Sequence, residues 1–403
     1  MVTGIGIASP IGNDLLTAST ALQSGQHGIR PMPEWEHIDQ LQTRLAGVVG
    51  EFDLRGIDRK KLRTMGRVSK LATFATRQAI EDAGLTDEHI HSPRTGICHG
   101  STHGSSAAQE EFCRTLFDTA SLQDLSALSY LKFMSHTCAA NLAQCFGVRG
   151  RVVPSVAACA SGSQGIGMGF DIIRSGRQDL MLCGGAEELH YIHATVFDLA
   201  YAASTRYAKQ SDLSPRPFDA DRDGLVVAEG AGTLVLEEYE HAKARGAEIH
   251  SELLGYGASC DGTHATAPSI DGMTRTIQLA LEDAFMSSNE IDYVNAHGTA
   301  TDVGDTAESH ATLQALGDQV PISSTKSYTG HTLGACGALE AAFCISAIKN
   351  GFLPPNRNLD RVHDNCAPLN YIVGDARQAK LRTVMTNNFA FGGINTSLIF
   401  RRL

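Results

Sequence analysis

Two stretches of this chain follow one plan, and that echo limits the folds open to it. Residues 152–176 run from an apolar β-rich segment through a turn of small residues into a glycine-rich helix that ends at Arg174-Ser175-Gly176. Residues 321–351 run from a second strand past Gly330 into a glycine- and alanine-rich helix that ends at Lys349-Asn350-Gly351. A glycine inside a helix costs about 1 kcal/mol relative to alanine. Helices carrying Gly165, Gly167 and Gly169, or Gly334 and Gly337 beside Ala338, therefore need a compensating gain. Close packing against other backbones supplies one, so two buried central helices are expected. Halves built on one plan would span 1–246 and 247–403, although the similarity between them is too thin to establish a duplication by itself.

Apolar β-rich runs alternate with helical patterns along the whole chain. Strands are expected at 2–8, 95–100, 152–157, 179–185, 232–237, 249–257, 291–296, 321–325, 383–388 and 394–400. Helices are expected over 68–84, 163–175, 272–286, 302–315 and 332–349. This alternation argues for an α/β fold with buried sheets. With 42% hydrophobic and 19% charged residues in 403, the chain has ample material for a large core.

Charge and cysteine usage exclude several classes. A formal charge of -11 gives no reason to expect nucleic acid as a partner, and an acidic partner would need a local basic patch. No apolar run reaches the roughly 20 residues that span a bilayer, so no membrane insertion is expected. The ten cysteines form no CxxC pair, which reads as reduced thiols in a cytoplasmic protein. No signal peptide precedes the first strand, and so abrupt a start leaves room for a short missing leader.

Cys159 lies in Ser155-Val156-Ala157-Ala158-Cys159-Ala160-Ser161-Gly162-Ser163, where a strand gives way to a helix. A thiol at a helix N-terminus has a lowered pKa and a larger thiolate fraction. An isolated cysteine of this kind is more often plain core, so other residues must decide. Two histidines do. His297 follows a strand in Asn295-Ala296-His297-Gly298-Thr299-Ala300-Thr301, and His331 follows another in Lys326-Ser327-Tyr328-Thr329-Gly330-His331-Thr332. Strand ends are where α/β folds place their chemistry.

With Asn387-Asn388-Phe389-Ala390-Phe391-Gly392-Gly393-Ile394-Asn395, these motifs in this order resemble the β-ketoacyl-acyl-carrier-protein synthases of types I and II. Arg216-Pro217-Phe218-Asp219-Ala220-Asp221-Arg222-Asp223-Gly224 and Glu229-Gly230-Ala231-Gly232 carry the likeness further, and it covers essentially the whole chain. Gly184-Gly185-Ala186-Glu187-Glu188-Leu189 leans towards type I. The resemblance implies a thiolase-like fold, two pseudo-duplicated halves forming a five-layered α-β-α-β-α sandwich. It implies decarboxylative Claisen condensation, with Cys159 accepting an acyl chain and His297 and His331 serving malonyl decarboxylation. Lys326 would tune charge and Glu340 would help order the site. The N–H groups of Cys159 and Phe391 would form the oxyanion hole, with Phe391 as a gate. Thr299 and Thr301 would bind the phosphopantetheine arm, Met134 and Phe197 would line the acyl pocket, and Lys60 and Arg63 would dock an acyl carrier protein. No metal and no organic cofactor is implied, since the pantetheine arm belongs to the substrate. The partner subunit would be a second copy or a homologous chain-length-factor-like subunit.

The chain departs from the family at Ala390, where glycine is usual, and at Asn388, where serine is usual. A gate stiffened by alanine would alter chain selectivity, and the same loop is reminiscent of aryl-polyene ketosynthases. Fatty-acid and polyene or polyketide synthesis both remain open, as do acyl length and saturation. A non-catalytic chain-length partner would have lost the cysteine, and a degradative thiolase would use a second one. Gly4-Ile5-Gly6 with Gly12 lacks dinucleotide-site spacing. Asp219, Asp221 and Asp223 begin like a calcium loop, but its twelfth position is Gly230 rather than glutamate. His190 and His193 lack further ligands nearby in sequence, so a packed or solvated pair is expected.

Overall fold

The computed structural model describes residues 1–403 as five layers. One sheet has the order Val2–Ala8, Gly230–Glu237, Leu180–Glu187, Thr95–Gly100, Val152–Ser155. The second has the order Asn370–Tyr371, Pro321–Ser323, Tyr293–Asn295, Thr383–Ala390, Ile394–Arg401, Glu252–Cys260. Helices Ser161–Arg174 and Cys336–Asn350 lie between the sheets and pack on both. Helices Arg67–Asp82 and Thr137–Phe146 cover the outside of the first sheet, and Ile270–Asp283 with Asp302–Leu316 covers the second. No helix is long and apolar enough to cross a membrane.

The small residues of the central helices do what their cost demanded. A Cβ on Gly165 would lie 2.9 Å from the Cys98 carbonyl oxygen and 3.0 Å from that of Gly184. A Cβ on Gly162 would meet the Ala338 nitrogen at 2.9 Å, so the two central helices touch through their backbones. Cys336–Ile348 is buried throughout, whereas the last turn of the other helix, from Asp171, reaches the surface.

The echo between segments 152–176 and 321–351 extends to their turns. Ala158 takes φ 46 and opens a three-residue 3-10 turn before the helix at Ser161. Leu333 takes φ 48 and opens a second such turn before the helix at Cys336. Each elbow places a side chain between the layers.

The expected strands and helices recur with ends shifted by a few residues, but helices Leu15–Ser24, Ser106–Thr119, Thr137–Phe146 and Tyr191–Leu199 were not foreseen. The last of these, Tyr-Ile-His-Ala-Thr-Val-Phe-Asp-Leu, is rich in β-branched and aromatic residues that favour strands. Its buried face, His193, Ala194 and Phe197, follows helical spacing, and packing on the core overrides propensity.

Candidate active site

Ser161 braces the elbow that carries Cys159. Its Oγ accepts from the Ala157 N–H at 2.9 Å and donates to the Ala158 carbonyl at 2.7 Å, holding an alanine in the left-handed region. The Sγ of Cys159 then faces the Nε2 of His331 at 3.0 Å. The ring of His331 has a fixed direction of bonding: its Nδ1 accepts the Leu333 N–H at 3.3 Å, so Nε2 carries the proton and points it at the sulfur. The rings of His297 and His331 stand edge-on at 5.2 Å, and bonding atoms of Cys159, His297 and His331 lie within 4.8 Å of one another.

The turn bearing His297 is held by carboxylates on the helix that follows it. Glu308 accepts the N–H groups of His297 at 2.7 Å and Gly298 at 2.6 Å. Asp305 accepts those of Ala300 at 3.0 Å and Phe218 at 2.6 Å. The Phe218 bond ties the turn to the Arg216–Gly224 motif. Neither acid was foreseen as a site residue. Their spacing of three on the first turns of Asp302–Leu316, directly after the histidine turn, was the available signal.

Burial sets the protonation of the core. It pushes the Cys159 thiol up to about 12, against the pull of Lys326 and the bonding at the elbow. The depressed thiol expected from the helix N-terminus is therefore corrected: desolvation of a residue only 6% exposed outweighs the helix end. Burial also drives His297 and His331 well below the usual histidine range, and Lys326 adds to both. Lys326 itself stays charged. Burial opposes its ammonium, but the ion pair with Glu340 lifts it above the usual lysine value. Asn388 Nδ2 donates to the other oxygen of Glu340 at 2.7 Å, so the residue that replaces serine caps the buried carboxylate.

A cavity of about 440 Å³ opens onto Cys159, His297 and His331 and is lined by Thr299, Thr301, Phe197 and Phe391. The two threonine hydroxyls lie 2.9 Å apart. Phe391 is 39% exposed and its ring sits 5.7 Å from that of Phe197. Asp261 and His264, on an unforeseen loop, complete the mouth. Ala390 ends its strand opposite Ile394, while Gly392 (φ 84) and Gly393 (φ 69) make the turn. Ala390 therefore lies at the end of the strand, and the turn itself is made by glycines.

The remaining expected residues lie apart. Met134 follows the Ala127–Phe133 helix, buried, and does not line the cavity of its own chain. Lys60 and Arg63 are exposed without an ion-pair partner. Their neighbours in the basic run are used internally: Lys61 Nζ donates to the Cys145 carbonyl at 2.6 Å and Arg67 pairs with Glu229. His190 and His193 are packed, with partners that are distant in sequence.

A cysteine elbow facing two histidines between the layers of an α-β-α-β-α sandwich is the arrangement of a thiolase-fold condensing enzyme. Residues 1–242 match the Beta-ketoacyl synthase, N-terminal domain, and residues 250–360 match its C-terminal domain. The chain is 39% identical to 3-oxoacyl-[acyl-carrier-protein] synthase 1 of Haemophilus influenzae, over 100% of this chain and 98% of that one. A crystal structure of a beta-ketoacyl synthase from Burkholderia phymatum superposes with TM-score 0.97 at 51% identity, covering 100% of this chain and 98% of the other. The ishigamide ketosynthase/chain length factor superposes with TM-score 0.93 at 35% identity, with 100% and 98% coverage. The chain belongs to the β-ketoacyl synthase family, and it is a condensing acyltransferase.

Proposed function

We propose that Cys159, His297 and His331 carry out decarboxylative Claisen condensation on carrier-protein thioesters. The observation that carries this reading is the His331 Nε2–H aimed at Sγ from 3.0 Å, with His297 beside it. In the first half-reaction Sγ bonds to the acyl carbonyl carbon, the pantetheine C–S bond breaks, and the thiol proton leaves with the pantetheine sulfur. No resting thiolate is needed, in keeping with a thiol raised by burial. In the second, the malonyl C–C bond breaks and carbon dioxide departs. Its electron pair forms an enolate whose oxygen takes N–H bonds from His297 and His331. The carbanion attacks acyl-Cys159, and the resemblance assigns the resulting oxyanion to the N–H groups of Cys159 and Phe391. Its collapse breaks the acyl C–Sγ bond, releases the β-ketoacyl thioester, and leaves Sγ to regain a proton from water. Burial, aided by the charge of Lys326 that Glu340 holds in place, keeps both imidazoles neutral, and Thr299 and Thr301 hold the pantetheine arm.

The donor chemistry supports a reaction without metal: His331 offers a proton rather than a lone pair, and the Lys326 charge acts on all three groups. A degradative thiolase is disfavoured by Cys336. That second thiol is buried, donates to the Cys159 carbonyl at 3.2 Å and does not line the cavity. Lys60 and Arg63 dock an acidic acyl carrier protein. The working unit is a dimer in the cytoplasm, formed with a second copy or a chain-length-factor-like subunit. It serves fatty-acid or polyene synthesis. Incubation with acyl- and malonyl-carrier protein tests the reading: wild type forms the β-ketoacyl product and an acyl adduct on Cys159, and an adduct mapped to another cysteine sinks it.

A further inference from the structure

The two elbows repeat one backbone but not one brace. Ala158, Cys159, Ala160 and Ser161 of the first match Leu333, Gly334, Ala335 and Cys336 of the second, counted from the left-handed residue. In the first, Ser161 Oγ bonds the elbow's own backbone. In the second, Cys336 turns away, and its thiol donates to the Cys159 carbonyl at 3.2 Å. Leu333, at φ 48, therefore lacks that brace. A left-handed residue with a Cβ costs roughly 1–2 kcal/mol, so the turn needs a hold from elsewhere.

Glu187 supplies that hold from the other half of the chain. It ends the strand Leu180–Glu187 and is wholly buried. Its Oε2 accepts the Gly334 N–H at 3.1 Å and the Thr102 N–H at 3.0 Å. Gly334 occupies the place that Cys159 holds in the first elbow. A Cβ there would lie 3.0 Å from the same oxygen and 2.7 Å from the Thr102 nitrogen, so the turn rests directly on the 101–102 segment. The Ser101 carbonyl lies 3.2 Å from Ser161 Oγ, the brace of the Cys159 elbow. One carboxyl oxygen thus fixes the His331 turn to the segment on which the Cys159 elbow leans.

The consequence falls on His331. Leu333, whose N–H sets the tautomer of that ring, immediately precedes the anchored Gly334 N–H. Freed from Glu187, Leu333 can relax out of the left-handed region, and its N–H then leaves Nδ1. The ring loses the bond that keeps its proton on Nε2, and the 3.0 Å alignment with Sγ goes with it. The task needs an acceptor and no charge. Burial pushes the Glu187 carboxyl up to about 8, so near neutral pH the neutral acid predominates. Its Oε1 is buried without a partner, which leaves Oε2 as the oxygen that bonds. A buried orphan of this kind is rare in a core, and it is tolerated here where the other oxygen ties two segments together.

We infer that Glu187 is the positioning residue of His331: through Gly334 it keeps the ring's Nε2–H aimed at Cys159, without lining the cavity itself. The inference rests on the reading of His331 as a donor in malonyl decarboxylation. Glu187→Met keeps the volume and removes the acceptor. Its decarboxylation of malonyl-carrier protein should fall about 10- to 100-fold, the effect of a small misplacement at a reacting centre. Acyl loading of Cys159 should stay within about threefold of wild type, because Ser161 braces that elbow locally. Glu187→Gln, whose amide oxygen accepts both N–H groups, should restore decarboxylation. A second readout does not depend on turnover. Nitrogen NMR of the full chain with isotope-labelled histidine, the His331 signals being those lost in His331→Ala, reports the tautomer. Wild type and Glu187→Gln should show a protonated Nε2 and a bare Nδ1, and Glu187→Met a mixture of tautomers. If Glu187→Met does not fold, Glu187→Asp, one methylene short of Gly334, should show smaller changes in the same direction. An unmixed Nε2–H tautomer in the methionine or aspartate variant would overturn the proposal. So would a glutamine variant as impaired as methionine, or equal losses of acyl loading and decarboxylation. A wild type that holds the Nε2–H tautomer yet does not decarboxylate malonyl-carrier protein would instead overturn the reading of His331 as donor.

Discussion

Burial moves the Cys159 thiol and the two histidines in opposite directions, and the proposed reaction would use both shifts. In that reaction the raised thiol would stay protonated until it exchanges with a thioester, and the depressed imidazoles would stay neutral donors. Cys159→Ala is expected to abolish condensation, read as loss of the β-ketoacyl product. His297→Ala or His331→Ala should slow malonyl decarboxylation by about 100- to 1,000-fold, the usual effect of removing one preorganised donor. Acylation of Cys159 should remain, as intact-protein mass will show. A variant that lost acyl transfer alone would contradict these roles. Because both imidazoles titrate well below 6.5, neither gains a proton as pH falls from 8 to 6.5. The wild-type decarboxylation rate should therefore stay flat across that range; a falling limb centred on 6.5 would mean exposed histidines. The grouping of Cys159 with both histidines was legible from their motifs, because each lies in a local turn with its own composition. Glu308, which holds the His297 turn, was not, since its partners are backbone N–H groups that a sequence does not display. The protonation of Cys159 was misjudged for a related reason: a helix end is visible in a sequence, and the depth at which it is buried is not.

The glycines show what local sequence can and cannot reveal about an element. Their density marked the two central helices, but only the fold names the backbones they approach. Gly165→Ala would put its methyl about 3 Å from carbonyl oxygens of two different strands, and neither strand can retreat without breaking its sheet. Overpacking of this kind costs about 1–3 kcal/mol. The expected result is a lower urea midpoint with an unchanged slope, and an unaltered midpoint would show that the sheet gives way. The helix Tyr191–Leu199 marks the limit. Residue by residue it favours a strand, and its helical form follows from where His193, Ala194 and Phe197 must pack.

The molecule as a whole presents two unpartnered surfaces. Lys60 and Arg63 form one, spared from internal bonding where Lys61 and Arg67 are not. Lys60→Glu with Arg63→Glu should raise the KM for carrier-bound substrate several-fold at low salt and leave pantetheine mimics unaffected. The effect should shrink as salt screens it; equal losses for both substrates would indicate misfolding instead. The other surface is the strand Val152–Ser155, at the edge of the first sheet. Val152 is 42% exposed and Val156 44% exposed, and Pro154 is tolerated there because an edge strand has one side free of the ladder. An edge so apolar invites pairing with another chain. The sequence displayed the valines, but not that they stand at an edge, which depends on strand order. Val152→Lys with Val156→Lys should convert a dimer to a monomer in light scattering while leaving the fold intact, because neither side chain belongs to the core of its own chain. If the acyl pocket crosses the interface, as the family resemblance implies for Met134, the monomer should lose condensation. Met134→Trp should then shorten the products of the dimer and spare malonyl decarboxylation. A stable, fully active monomer would sink the shared pocket. An inactive chain restored by a co-expressed homologue would make the partner a different subunit.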